Sequence, residues 1–264
     1  MAKSFINLQN LKDALANFNT AYPFPHAVID NFFEDWAADQ LAQDFPNWSS
    51  SVFNGQYENA IELKKTCNIW DRFPFHTYCV FHYLNSFEFT DCLTEFIGSE
   101  PLYADNGLHG GGWHIHPQGG KLNPHLDYSI HPKLGLQRKY NLLIYVNPNW
   151  QDSWGGHLGL FANGADNLPG ELAHSVLPKF NRAILFDTTG YNWHGIHTAI
   201  TCPEDQCRKS LAIYYLIDPP EDVDSRGRAL FAPTEEQKTD QEVLDLIKRR
   251  SAVQGQDPTK WTRA

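Results

Sequence analysis

Hydrophobic positions in the second half of this chain fall into short, sharply bounded runs: residues 140–146 (YNLLIYV), 157–161 (HLGLF), 182–186 (RAILF) and 211–217 (LAIYYLI). Each is rich in aliphatic and aromatic residues, is too short for a typical helix, and is bounded by Gly, Pro, Asn or Asp, which is the pattern of a strand. No helical crossover pattern separates them, so they predict an antiparallel sandwich or barrel beginning near residue 113, with Gly155-Gly156 as one tight joint. The first third reads as helix and connecting loop. Asp30-Asn31 precedes FFEDWAADQLAQDF, where Phe32, Trp36, Leu41 and Phe45 roughly follow helical spacing until Pro46 stops it, and a shorter helix is predicted over residues 91–97. Past Pro219-Pro220 the chain turns polar. There TEEQKTDQEVLDLIKRR, with acids first, bases last and Val243, Leu246 and Ile247 on one face, predicts a terminal helix whose charges complement its dipole. The expectation is one mostly β domain over 1–264: a helical lead-in to about 105, a barrel over about 106–218, and a C-terminal extension with a helix over 219–264.

Size changes what a metal would mean here. A chain of 264 residues buries about three quarters of its unfolded surface, so any metal is functional rather than a folding staple. Charge excludes a partner class, since 21 Lys+Arg against 31 Asp+Glu, a net of −10, opposes the phosphate neutralisation on which nucleic-acid binding depends. There is no run of 18 apolar residues and no signal-like h-region at the amino terminus, which argues against a membrane span or secretion. The five cysteines are odd in number and contain no Cys-x-x-Cys pair, which suits a reducing cytoplasm. The 14% aromatic content, with eight Trp, indicates a packed body with ring-lined surfaces.

His125-Leu126-Asp127 carries the chemistry. On an extended segment residues i and i+2 share a face, so an imidazole and a carboxylate stand side by side. With 12 His in the chain, about one His-x-Asp arises by chance, and the pair alone is weak. A further candidate, His194, follows RAILFDTTGYNW, beyond the end of a predicted strand. Two His and one carboxylate on a β scaffold make the facial triad of non-haem Fe(II) oxygenases, which leaves coordination positions open. His197, three residues on, is its rival. Arg208 begins RKSLAIYYL at the mouth of an apolar strand, where a guanidinium calls for an anion and pairs bidentately with a carboxylate. His114 and His116 form a His-x-His pair that can be read as a cupin-type metal site. Gly110-Gly111-Gly112 lacks the Gly-Lys-Ser/Thr of a phosphate loop, Cys202 and Cys207 read as bystanders in a polar loop, and Trp150 and Trp154 read either as substrate-facing rings or as packing.

Taken in order, HLD, YNLLIYVNPNWQDSWGGHLGLF, AILFDTTGYNWHG and RKSLAIYYL resemble the Fe(II)/2-oxoglutarate-dependent dioxygenases, in particular their prolyl-hydroxylase-like branch, over roughly residues 110–217. PFPHAVIDNFFEDWAADQLAQDFP resembles the helical lead-in of the same proteins. The resemblance implies a double-stranded β-helix, a jelly-roll of cupin-like form. It implies Fe(II), 2-oxoglutarate, O₂ and ascorbate as the cofactor set, with iron ligands at His125, Asp127 and His194. Arg208 becomes the anchor for the distal carboxylate of 2-oxoglutarate, Tyr145 a hydrogen-bond partner of that carboxylate, and Ser210 the second member of an Arg-x-Ser pair. His116 stands near a position where relatives carry a tyrosine facing the cosubstrate. Asp127, where halogenating relatives have a small residue, implies hydroxylation of an unactivated C–H bond with 2-oxoglutarate decarboxylated to succinate and CO₂. The primary substrate implied is a protein or peptide proline, the alternatives being a free amino acid, a sugar or a natural-product intermediate. A non-oxidative cupin-like binding barrel is the competing reading.

Overall fold

The computed structural model describes residues 4–252 apart from Ser225. In the lead-in, α1 (Leu8–Leu15), α2 (Asp35–Asp44), α3 (Phe75–Leu84) and α4 (Phe87–Ile97) accompany three strands, β1 (His26–Ile29), β2 (Gly55–Glu58) and β3 (Glu62–Cys67). There follow β4 (Tyr103–Ala104), β5 (Gly112–His116), β6 (Lys121–Leu122), β7 (His125–Leu126), β8 (Gln137–Tyr145), β9 (Leu158–Asn163), β10 (Pro169–Val176), β11 (Ala183–Asp187), β12 (His194–Ile196) and β13 (Arg208–Ile217). The C-terminal extension contributes β14 (Leu230–Phe231) and α5 (Gln241–Ala252).

All pairings between these strands are antiparallel. The larger sheet runs β1-β11-β8-β13-β5-β3-β2, with β4 beside β13 and β6 beside β3, and the smaller runs β10-β9-β12-β7-β14. The core of the molecule is an eight-stranded jelly-roll, because β5, β8, β11 and β13 lie in one sheet while β7, β9, β10 and β12 lie in the other, the chain crossing repeatedly between them. The mostly β, double-stranded β-helical expectation is met. The lead-in is less helical than its pattern suggests: β1, β2 and β3 extend the larger sheet. Two of these are half-polar, GQYE at the sheet edge and ELKKTC next to it, and their composition carries no strand signal.

Period-two alternation divides β13 between two cores. Leu211, Ile213 and Tyr215 face a layer in which Phe32, Phe33, Leu41, Phe81, Phe89 and Leu93 of the lead-in pack on Trp113, Leu142 and Ile144. Ala212 points into the barrel with Leu143, Tyr145, Leu158, Leu160, Ile184 and Phe186. Strands covered on both faces read as continuous apolar runs, which is why YNLLIYV and LAIYYLI are so plain in the sequence.

Caps set the helix limits. The Ser86 hydroxyl accepts from the Phe89 amide at 3.3 Å and Gly98 closes the far end at φ +69°, so α4 starts four residues before the expected 91. The terminal helix starts later than its charge pattern predicts: Thr234 and Gln237 cap each other around a separate short 3₁₀ turn, and Asp240 accepts from the Glu242 and Val243 amides to begin α5.

Candidate active site

β7 is only two residues long and pairs with β12 at one register, His125 opposite His194. Opposed residues of an antiparallel pair project to the same side about 5 Å apart, and the two imidazole centroids lie 4.3 Å apart. Asp127 shares that face two residues on. One ligand atom from each of His125, Asp127 and His194, all three buried, falls within 4.8 Å of the others; His125 Nε2 is 3.9 Å from Asp127 Oδ1 and His194 Nε2 is 3.6 Å from Asp127 Oδ2.

The surroundings set the protonation states. His125 Nδ1 lies 3.0 Å from the Asn123 carbonyl and His194 Nδ1 3.1 Å from that of Asn192, so each Nδ1–H donates to backbone and each Nε2 lone pair faces the centre. Burial, reinforced by the neighbouring His194, lowers the His125 pKa to about 3 and keeps it neutral. Burial would raise the Asp127 pKa, but His194, Arg138, His125 and the Tyr214 hydroxyl outweigh it, and the group stays below its ordinary value, ionised. Asp127 Oδ1 accepts from Tyr214 at 3.1 Å, whereas Oδ2 is buried without a hydrogen-bond partner among the described residues. An ionised oxygen left unsatisfied among imidazole lone pairs is costly; a divalent cation with oxygen and nitrogen preference satisfies all three groups, and the donor set fits Fe(II).

A second buried cluster forms around β13. Register places Arg208 opposite His116, and Ser210 opposite His114 on one side and Tyr145 on the other, so the residues singled out in the sequence converge. Arg208 Nε donates to the Gly156 carbonyl at 2.7 Å and Nη2 to the Tyr145 hydroxyl at 3.2 Å. The side chain is 3% exposed, burial pulls its pKa down, and among the described residues no carboxylate lies within ion-pairing distance. The turn that presents the Gly156 carbonyl demands glycine: Gly155 has φ +66° and a Cβ there would stand 2.0 Å from the Ala199 carbonyl oxygen. Both ring nitrogens of His116 and Nε2 of His114 are buried without hydrogen-bond partners among the described residues. A guanidinium surrounded by neutral polar groups suits one small carboxylate ligand.

Burial lowers the pKa of His114 to about 3 and that of His109 to about 4. Both are below the unfolded value of about 6.5, so between roughly pH 6.5 and 4 the unfolded chain binds more protons and stability falls as pH falls. Denaturant midpoints measured at pH 7.5 and pH 5 should show this loss, and replacing His109 or His114 by glutamine should flatten it.

Other features sort themselves out by position. His197 lies outside the triad, with Nε2 2.8 Å from the Ser175 hydroxyl and its ring 6.0 Å from His157; His197→Ala should therefore keep a divalent-metal affinity that His194→Ala loses, as calorimetric titration with Mn(II) would register. Trp150 and Trp154 form an edge-to-face pair packed with Ile200 and Cys202, the packing reading. Cys202 and Cys207 are buried free thiols.

Sequence reasoning missed Tyr214 and Arg138. Tyr214 was available from alternation alone, since Arg208, Ser210, Ala212 and Tyr214 share one face of β13. Arg138 was not: it lies between the rings of Tyr128 and Tyr214, 3.4 and 3.5 Å from their centroids, and 3.9 Å from Asp127 Oδ1, an arrangement made only by the packed barrel.

Residues 111–216 match the model of the 2OG-Fe(II) oxygenase superfamily. A prolyl 3-hydroxylase of Xenopus laevis is 25% identical over 78 residues, which are 30% of this chain and 15% of that protein. The chain thus spans under a sixth of the length of that relative. Among solved structures, a Trichoplax adhaerens prolyl hydroxylase in complex with a hypoxia inducible factor peptide fragment superposes with TM-score 0.54 at 20% identity, covering 79% of this chain and 90% of that one. A Pseudomonas putida prolyl-4-hydroxylase gives 0.54 at 17%, covering 78% and 98%. At these identities the two structures speak to the fold. No helix among the described residues is long and apolar enough to cross a membrane.

Proposed function

We propose that this chain, whose residues 111–216 belong to the 2OG-Fe(II) oxygenase superfamily, is an Fe(II)- and 2-oxoglutarate-dependent hydroxylase acting on a prolyl residue of a protein or peptide. The observation that carries the reading is a pair of buried sites of opposite need in one barrel: three ligand atoms within 4.8 Å of one another, and the Arg208 guanidinium, which among the described residues has no carboxylate within ion-pairing distance.

His125, Asp127 and His194 would hold Fe(II), and three protein ligands leave the rest of the coordination sphere for cosubstrate and O₂. Bound there with 2-oxoglutarate, iron supplies oxidative decarboxylation of the oxo acid to succinate and CO₂ and insertion of one oxygen atom into an unactivated C–H bond. Arg208 would grip the distal carboxylate in a charge-assisted pair, Tyr145 would share it, and Ser210 and His116 would line its path. Tyr214 donates to Asp127 Oδ1 and Arg138 stands 3.9 Å from it, so Oδ2 would be the oxygen free to hold the metal. The apolar wall of Leu143, Leu158, Leu160, Ile184 and Phe186 excludes water from the site. Ascorbate would serve as reductant. The prolyl assignment draws support from the prolyl hydroxylases to which the chain is similar, and five free cysteines support a reducing, cytoplasmic compartment.

The test incubates the protein with Fe(II), 2-oxoglutarate and ascorbate, together with proline-containing peptides or with free amino acids and sugars. Peptides should gain one oxygen atom at proline in proportion to succinate. Succinate coupled only to a small metabolite would reassign the substrate. Absence of succinate under all conditions, with no visible charge-transfer band on anaerobic addition of 2-oxoglutarate to the Fe(II) protein, would return the chain to the binding-barrel reading.

A further inference from the structure

The jelly-roll is complete at β13, yet the chain returns after it to the strand that carries His125. β7 would otherwise have β12 on one side and an unpaired edge on the other. β14 closes that edge, Leu230 opposite Leu126 and Phe231 opposite His125, and Ala232 N donates to the Pro124 carbonyl at 2.8 Å. The Phe231 ring lies nearly parallel to the His125 imidazole, 23° apart with centroids at 5.4 Å, so His125 is held between Phe231 and His194.

A second contact reaches the same imidazole through its carbonyl acceptor. His125 Nδ1–H donates to the backbone of Asn123, and the Asn123 side chain is itself clamped: Nδ2 donates to Gln237 Oε1 at 2.6 Å and to the Ala232 carbonyl at 3.0 Å. Gln237 in turn accepts from the Thr234 amide and donates to the Ala60 carbonyl. A third contact grips Asp127, whose backbone carbonyl accepts from Arg226 Nε at 2.9 Å. The extension is anchored on the body by Arg250 Nη1, 2.7 Å from Glu62 Oε1, and by Val243, Leu246 and Ile247 packed with Ile61 and Phe231.

We propose that the C-terminal extension is a positioning element for the His125–Asp127 segment, with Phe231 and Gln237 as positioning residues that fix the ring plane and Nδ1–H tautomer of His125. This rests on the reading of His125 as a metal ligand. Groups that orient a metal-bound histidine typically change metal affinity 10–100-fold when removed, whereas a merely structural strand would change stability alone.

The experiment titrates the metal-free full-length protein and its variants with Mn(II), a redox-stable stand-in for Fe(II), by calorimetry, and measures thermal midpoints without metal. Phe231→Ala and Gln237→Ala should each weaken Mn(II) binding about 10–100-fold, and Phe231→Tyr should restore it. Leu41→Ala, which opens a cavity in the distant helical core, should lower the midpoint yet keep native affinity. Native Mn(II) affinity in both Phe231→Ala and Gln237→Ala overturns the proposal, as does an equal loss in Leu41→Ala. If His125→Ala binds Mn(II) as the native protein does, the ligand reading itself falls and the proposal with it, an outcome recognisable by that variant alone.

Discussion

Asp127→Asn should abolish turnover and weaken Fe(II) binding by more than about 100-fold, beyond the range seen for groups outside the coordination sphere. The amide keeps the shape and the hydrogen bond from Tyr214 but removes the anionic charge of Oδ2, the atom without a hydrogen-bond partner among the described residues. It also removes the negative charge 3.9 Å from the buried Arg138 guanidinium, so some loss of stability is expected as well. Thermal midpoints taken beside metal titrations separate the two effects. His125→Ala should behave alike, because it removes one of only three protein ligands. Full turnover of either variant with stoichiometric Fe(II) would sink the metal assignment.

Arg208→Leu should leave Fe(II) affinity nearly native and raise the 2-oxoglutarate requirement roughly 30-fold or more, since loss of a buried charge-assisted pair costs about 2–5 kcal/mol. The leucine removes the charge and the bonds to Gly156 and Tyr145 while keeping part of the aliphatic stem's volume. Tyr145→Phe should give a smaller loss of the same kind, about fivefold, because a neutral hydrogen bond contributes about 1 kcal/mol. Unchanged 2-oxoglutarate affinity in the Arg208 variant would refute the cosubstrate assignment.

The barrel was legible where strands are buried on both faces. There the local sequence must be apolar whatever the topology, and runs such as YNLLIYV announce themselves. The candidate ligands and the arginine were legible because strand geometry and strand ends restrict where polar groups stand: His-x-Asp shares a face, and a charged residue opening an apolar run needs a partner. Segments whose strand character comes only from a neighbour left no such mark. GQYE, ELKKTC and the two-residue β7 and β14 are strands because an adjacent edge offers hydrogen bonds, and no local pattern encodes that offer.

What the sequence determined by itself is therefore the fold class and the chemical inventory: a β barrel after a partly helical start, holding two imidazoles and a carboxylate with a basic group beyond them. Tertiary structure decided the rest. It showed why His194, already favoured in the sequence, and not His197 can join the cluster: antiparallel register sets His194 opposite His125 and leaves His197 against Ser175. It brought Arg138 and Tyr214 to one oxygen of Asp127, and the returning C-terminal strand to His125, over separations of up to about a hundred residues, because those contacts exist only once non-neighbouring strands have paired.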